Sequence, residues 1–236
     1  MTGMEIIQRI DAGANNYIRL FGEAPHMESI DNGIYRIVRP KRGEQGLHFV
    51  CDIRPERLGQ KTIRKIKRLK MPVWWPLQTP YIRPGEELYM AVLPGQMISH
   101  EEAKLVRRVE GPEDFARWVN CMNDATFDGY PCLHPQHHYP LCERGALLCY
   151  FIEIDGQIAA TAAIMLDGAN ASLEFVATDP AYRRRGLASG VCAAATEDAF
   201  AQNAEIVTLR ASNEGTRELY TSLGFKIYNE ALEEVP

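Results

Sequence analysis

A chain of 236 residues that is 46% hydrophobic can bury a substantial core, either as one large domain or as two small ones. Its charged residues sum to −5, so no overall basic character points to nucleic acid as a partner. No apolar run approaches the roughly 18 residues that cross a bilayer, and Glu5 interrupts the start where a signal peptide needs an apolar segment; a cytoplasmic protein without a membrane partner is expected. Cys51, Cys121, Cys132, Cys142, Cys149 and Cys192 are scattered through a chain too large to need staples, and they read as reduced thiols.

In chain order, Ile6, Ile10, Tyr17 and Phe21, flanked by Ile7, Ala14 and Ile18, predict an amphipathic helix ending near Gly22. Residues 34–39 and 47–53 are rich in β-branched and aromatic types and predict two strands, separated by the turn-prone KRGEQG. From Arg57 to Lys70, Ile63, Ile66 and Leu69 mark a helix with one narrow buried stripe, whose cationic exterior reads as a solvated face. Residues 71–100, punctuated by Pro72, Pro76, Pro80, Pro84 and Pro94, read as a connector carrying short strands, with a domain boundary near residue 100. Beyond it a strand is expected over 103–109 and a helix over 112–123, with Pro112 in its first turn. Residues 146–154 and 157–166 form a predicted hairpin about Asp155-Gly156. A strand over 171–178 follows, then a helix (186–202), a strand (205–211), a helix (214–222) and a last strand (225–229). This antiparallel meander followed by βαβαβ predicts an α+β fold with helices packed on a sheet.

The chemistry concentrates in LEFVATDPAYRRRGLASG, residues 173–190: an apolar strand, a turn, a basic loop, and a glycine opening an alanine-rich helix. Unpaired amides at a helix start, the helix dipole and a glycine that lets the main chain approach a ligand closely make an anion site, which Arg183, Arg184 and Arg185 strengthen. The loop lacks the Lys-Ser/Thr of a nucleoside triphosphate loop and is not G-x-G-x-x-G, so a pyrophosphate without a required metal fits better.

That stretch, together with LRASNEGTRELYTSLGFK at 209–226, resembles the GCN5-related N-acetyltransferase (GNAT) superfamily, with the two blocks in the same order and at a fitting separation. The resemblance covers the chain from about residue 101 to the end; the first hundred residues resemble only loosely the N-terminal halves of some longer members. It implies a mixed, mostly antiparallel sheet with helices on both faces, preceded by an N-terminal α/β extension or a degenerate half of the same fold. It implies direct transfer of an acetyl group from acetyl-CoA to a primary amine, with no metal. The main chain of Phe175, Val176 and Ala177 would pair with the pantetheine arm like an added strand. The backbone from Arg183 through Arg184, Arg185, Gly186 and Leu187 to Ala188, with Ser189 beyond, would hold the CoA pyrophosphate. Asn213 matches the family's side-chain contact to the cofactor arm, and Tyr220 the phenol that protonates the leaving thiolate.

The Val176 N–H is the candidate donor to the developing oxyanion. Thr208 stands where some ribosomal-protein acetyltransferases carry a glutamate, which leaves Glu174 as the candidate base. The missing carboxylate keeps open a non-catalytic acyl-CoA-binding module, and transfer of a longer acyl chain depends on a tunnel volume the sequence does not contain. The acceptor is not legible. Three roles are open to the first hundred residues: closing over the site, a homodimer contact, or a second copy of the fold.

One further cluster, CLHPQHHYPLC at 132–142, gathers Cys132, His134, His137, His138 and Cys142. Its spacing matches none of the usual zinc sets, and Pro131, Pro135 and Pro140 make it read as a stiff loop. A surface loop, or one that lines the acceptor pocket with His137 or His138 as base, is expected there.

Overall fold

The computed structural model describes residues 1–76, 88–127, 129–211 and 216–228. The chain opens with α1 (Gly3–Phe21) under a capping box: the Thr2 hydroxyl accepts from the Glu5 amide, and the Glu5 carboxylate accepts from the Thr2 amide. Then β1 (Met27–Asp31), β2 (Arg36–Pro40) and β3 (Phe49–Cys51) form a three-stranded antiparallel sheet. Sequence reading located β2 and β3 but not β1, whose last three residues are exposed and which carries no apolar alternation. The helix α2 (Gln60–Arg68) buries Ile63 and Ile66, the narrow stripe expected of it, with Ile66 packed beside Tyr35, Val50 and Ile53.

The main sheet has seven strands in the order β10-β4-β9-β8-β7-β6-β5. Its members are β4 (Leu88–Val92), β5 (Val106–Arg108), β6 (Leu147–Ile154), β7 (Gln157–Asp167), β8 (Asn170–Thr178), β9 (Ile206–Ala211) and β10 (Lys226–Ile227). All pairings are antiparallel except β8 with β9. The β6–β7 hairpin turns at Asp155 (φ +50°) and Gly156 (φ +79°), both left-handed as a two-residue turn with Asp-Gly requires. Along β6 the side chains alternate: Leu148, Tyr150 and Ile152 pack toward α5 (Leu187–Ala201), while Leu147, Cys149 and Phe151 pack toward α1, α3 (Pro112–Phe127) and α4 (Pro135–Glu143). Burial on both faces is why β6 and β7 read as nearly unbroken apolar runs. The last helix, α6 (Arg217–Ser222), joins the α5 side through Tyr220 and Leu223.

Two elements from the first hundred residues belong to this larger unit. The strand β4 is buried throughout and lies between β9 and β10, and α1 packs on β8, β9 and β4. Close approach of α1 needs Gly13, where a Cβ would stand 2.8 Å from Thr208 Oγ1 and 3.1 Å from Ser172 Cβ.

Two expectations are corrected. The strand foreseen over 103–109 is confined to β5, because Glu101–Leu105 coil into a 3₁₀ turn under a His100 cap. The stiff loop foreseen over 132–142 is mostly the helix α4: Pro135 lies in its first turn, where its missing N–H costs nothing, and Pro140 is accommodated inside a helix of only nine residues.

Candidate active site

The site begins with a fork in the sheet. The parallel ladder between β8 and β9 has three rungs, Asn170–Ile206, Ala171–Val207 and Ser172–Thr208, and stops there. Past the fork β9 continues against β4, while β8 continues against β7 alone. Within that stretch β8 carries a bulge: Glu174 pairs with Ala163 and Ala177 with Thr161, so three steps on β8 oppose two on β7. Phe175 takes the left-handed conformation (φ +53°), and its carbonyl accepts from the Thr161 hydroxyl at 3.2 Å, which holds the bulge in place. The result is an edge of extended main chain at Val176–Thr178 facing away from its strand neighbour.

A cavity of about 770 Å³ fills the fork. It is lined by Val176, Ala177 and Thr178 of β8, by Thr216, Glu218, Leu219 and Tyr220 at and within α6, and by Ala125 and Thr126 of α3. Its floor is the loop and helix start: Tyr182, Arg183, Arg184 and Gly186 through Ser189. This loop is braced locally. The Asp179 carboxylate accepts from the Ala181 amide at 2.8 Å, Arg183 Nε donates to the Thr178 carbonyl at 3.2 Å, and the Arg185 guanidinium covers the Tyr182 ring. Gly186 caps α5 with φ +75° and no side-chain hydrogen bond, so the first amides of the helix have no intrahelical or side-chain acceptor and point outward.

On its other side Gly186 touches a second feature. A Cβ there would stand 3.0 Å from His100 Cε1, and one at Gly190 would stand 2.6 Å from Glu102 Cβ. His100 Nδ1 lies 2.7 Å from Glu102 Oε2. The 3₁₀ turn therefore backs the start of α5; packing against it leaves no room for a Cβ at Gly190, while Gly186 is favoured by its left-handed conformation as well.

Of the residues singled out in the sequence, the structure brings Val176, Ala177, Arg183, Arg184, Gly186, Leu187, Ala188, Ser189 and Tyr220 around one cavity, with Phe175 in the bulge beside them. Arg185 lies against Tyr182 at the cavity's edge. Asn213 lies outside the described residues. Tyr220 is 7% exposed, and burial raises its phenol well above the ordinary range, with Cys192 and Glu174 pushing the same way. Thr208 is fully buried, its hydroxyl donating to the Ala171 carbonyl at 3.1 Å.

Glu174 sits immediately before the bulge. Burial raises its pKa to about 8, against the pull of the Ser172 hydroxyl and of Arg210. It is within electrostatic reach of Tyr220 on one side and of Tyr17 on the other. Around it stand residues that no motif identified. Tyr17 of α1 packs edge-on to Phe175 and Trp74, and the Arg210 guanidinium lies 3.8 Å over the Trp74 ring and also bonds the Tyr89 hydroxyl. Trp74 is placed by main-chain bonds between the chain at Pro72–Trp74 and Val50 of β3. The tryptophan pair was the only sequence signal for this wall.

The cysteine–histidine segment does not enter this cavity. His134 and His137 line a separate one of about 620 Å³ between α3 and α4, and His138 is buried with its pKa lowered to about 3. All six cysteines are free; Cys142 faces Cys149 at 4.0 Å between sulfurs. Among the described residues no three His, Cys, Asp or Glu side chains already converge on a metal position, and no helix is long and apolar enough to cross a membrane.

Residues 115–225 match the sequence model of the Acetyltransferase (GNAT) family. No curated protein matches the chain. Among solved structures it is similar to a GCN5-related N-acetyltransferase from Kribbella flavida, at 20% identity and TM-score 0.60, over 93% of this chain and 91% of that one. A GNAT-family protein from Novosphingobium aromaticivorans matches at 18% identity and TM-score 0.56, over 94% of this chain and 91% of that one. A GCN5-related N-acetyltransferase from Sphaerobacter thermophilus matches at 13% and 0.54, over 84% and 79%. At these identities the structures speak for the fold, and they do so through the first hundred residues as well as the rest. The family match covers the fork, the loop and Tyr220, so the similarity to GNAT-family acetyltransferases extends over the residues that build the cavity.

Proposed function

We propose that the protein transfers an acetyl group from acetyl-CoA directly to a primary amine. The observation that carries this reading is the fork: an open strand edge at Val176–Thr178, the free amides at the start of α5, and Tyr220 all lining the same cavity. An extended amide-bearing arm fits the edge as an added strand, and its pyrophosphate fits the helix start. Asn213 belongs to the same proposal as a side-chain contact to that arm.

In this arrangement the amine nitrogen attacks the thioester carbon, and the Val176 N–H at the bulge stabilises the oxyanion. Collapse breaks the carbon–sulfur bond; Tyr220 gives its proton to the departing thiolate, and Glu174 takes the proton lost by the nitrogen. The high pKa of Tyr220 keeps the phenol protonated and ready to donate. Tyr17, Trp74 and Arg210 flank Glu174, so the first hundred residues contribute to the acceptor side. A cytoplasmic location belongs to the same proposal, and six free thiols accord with a reducing compartment.

Thiol release from acetyl-CoA across a panel of amines tests the reaction. Tyr220→Phe should lower kcat by about 10²–10³ while calorimetric affinity for CoA stays within a few-fold. Tight CoA binding with no turnover on any amine would defeat the catalytic reading.

A further inference from the structure

Four of the chain's six histidines meet at one place, away from the fork. His26 comes from the turn entering β1; His134, His137 and His138 come from the start of α4, more than a hundred residues later. The His26 ring centroid lies 4.7 Å from that of His134 and 4.5 Å from that of His137, and the latter two are 5.7 Å apart. Two imidazoles that share a tetrahedral zinc at the usual Zn–N length have centroids about 5 Å apart. We propose that His26, His134 and His137 form a binding site for a divalent transition-metal ion of the zinc class, which ties the entry of the N-terminal sheet to α4.

The three rings differ in what they already touch. His134 Nε2 lies 2.9 Å from the Gln45 carbonyl oxygen, a bond that places the proton on Nε2 and leaves the Nδ1 lone pair for a ligand. His26 is 4% exposed, yet neither of its ring nitrogens has a hydrogen-bond partner, an arrangement that costs free energy unless something else occupies them. It is held in place by the loop above it, where a Cβ on Gly46 would come within 3.3 Å of His26 Nε2. His137 is partly exposed, stacks on His26 with planes 23° apart, and with His134 lines the cavity of about 620 Å³ that gives an ion access from solvent. The three rings are close but do not yet converge on a common point, and ligation requires His137 to turn out of its stack on His26.

His138 is excluded from the set, since its Nδ1 lies 2.9 Å from the His134 amide and caps the first turn of α4. The two thiols of the segment are excluded as well. Cys132 is buried without a nearby charge to favour the thiolate, and Cys142 faces Cys149 instead. Imidazole-only ligation suits zinc, nickel, cobalt or copper rather than magnesium or calcium. The site is independent of acetyl transfer.

The test uses the untagged full-length chain, stripped with chelator, titrated with Zn²⁺ by calorimetry and with Co²⁺ by visible absorption. One equivalent of each should bind, with four-coordinate cobalt bands and no thiolate charge-transfer band. His26→Ala and His137→Gln should each weaken binding by about 100-fold or more, while the exposed His48→Ala changes nothing. His137→Gln alters a partly exposed side chain, and its retained circular dichroism keeps the comparison valid if His26→Ala fails to fold. Absence of stoichiometric binding, undiminished affinity in His137→Gln, or a cobalt–thiolate band would overturn the proposal.

Discussion

Glu174 occupies a position where burial and catalysis pull against each other. Its pKa of about 8 means that much of it is protonated at neutral pH, so a reaction that needs its ionised form should accelerate as pH rises. With acceptor saturating, kcat should climb through about pH 8 and then level; Glu174→Gln should lower it by about 10²–10⁴ and abolish that limb. The same shift has a consequence for folding. An ordinary glutamate ionises near 4.3 in the unfolded chain, so between about 4.3 and 8 the unfolded state sheds a proton that the folded state keeps. Stability is therefore lost as pH rises through that window, and above about 8 the full cost of a buried carboxylate remains. Glu174→Gln should raise the urea midpoint, little at pH 4 and most at pH 8 and above, by an amount that grows through the interval. No gain at high pH would mean that the carboxyl is solvated rather than buried. At this scale the sequence singles out Glu174 as a candidate, but the carboxylate's surroundings, Tyr17, Trp74 and Arg210, come from segments whose meeting no local pattern announces.

The elements of the site were unevenly legible. The strand, loop and helix over residues 170–201 follow from apolar content, turn residues and Gly186, because each is set by contacts within a few residues. The bulge was invisible, since Glu174, Phe175 and Val176 alternate as in any strand; only pairing with β7 reveals the extra residue. The helix α4 was misread because three prolines suggested a loop, whereas one of them sits in the first turn, where proline suits a helix. Gly186 is the element-scale prediction. At φ +75°, with His100 behind it, Gly186→Ala adds strain of about 1–2 kcal/mol at the proposed pyrophosphate-binding turn. CoA affinity measured by calorimetry should fall about tenfold or more, with a smaller loss in thermal stability.

Across the whole molecule, the seven-stranded sheet is not the property of its C-terminal part alone. Among the described residues β10 pairs only with β4, and without residues 1–21 β8 and β9 would lose the packing of α1. A fragment of residues 101–236, which contains the whole family match, should therefore show no cooperative unfolding transition, while the full chain does. A fragment that melts sharply would show that the sheet closes without β4. What the sequence determined by itself was local or chemical: the helix and strand periods, the glycine-bearing basic loop at the start of a helix, the candidacy of Tyr220 and Glu174, and the family resemblance. The tertiary structure alone decided which distant segments share a surface: β4 beside β9, α1 over the fork, Trp74 beside Arg210, and His26 against α4. The physical reason is range. Backbone propensity, capping and turn chemistry act over a few residues and leave a pattern there, whereas packing between segments a hundred residues apart depends on complementary shapes that exist only once both have folded.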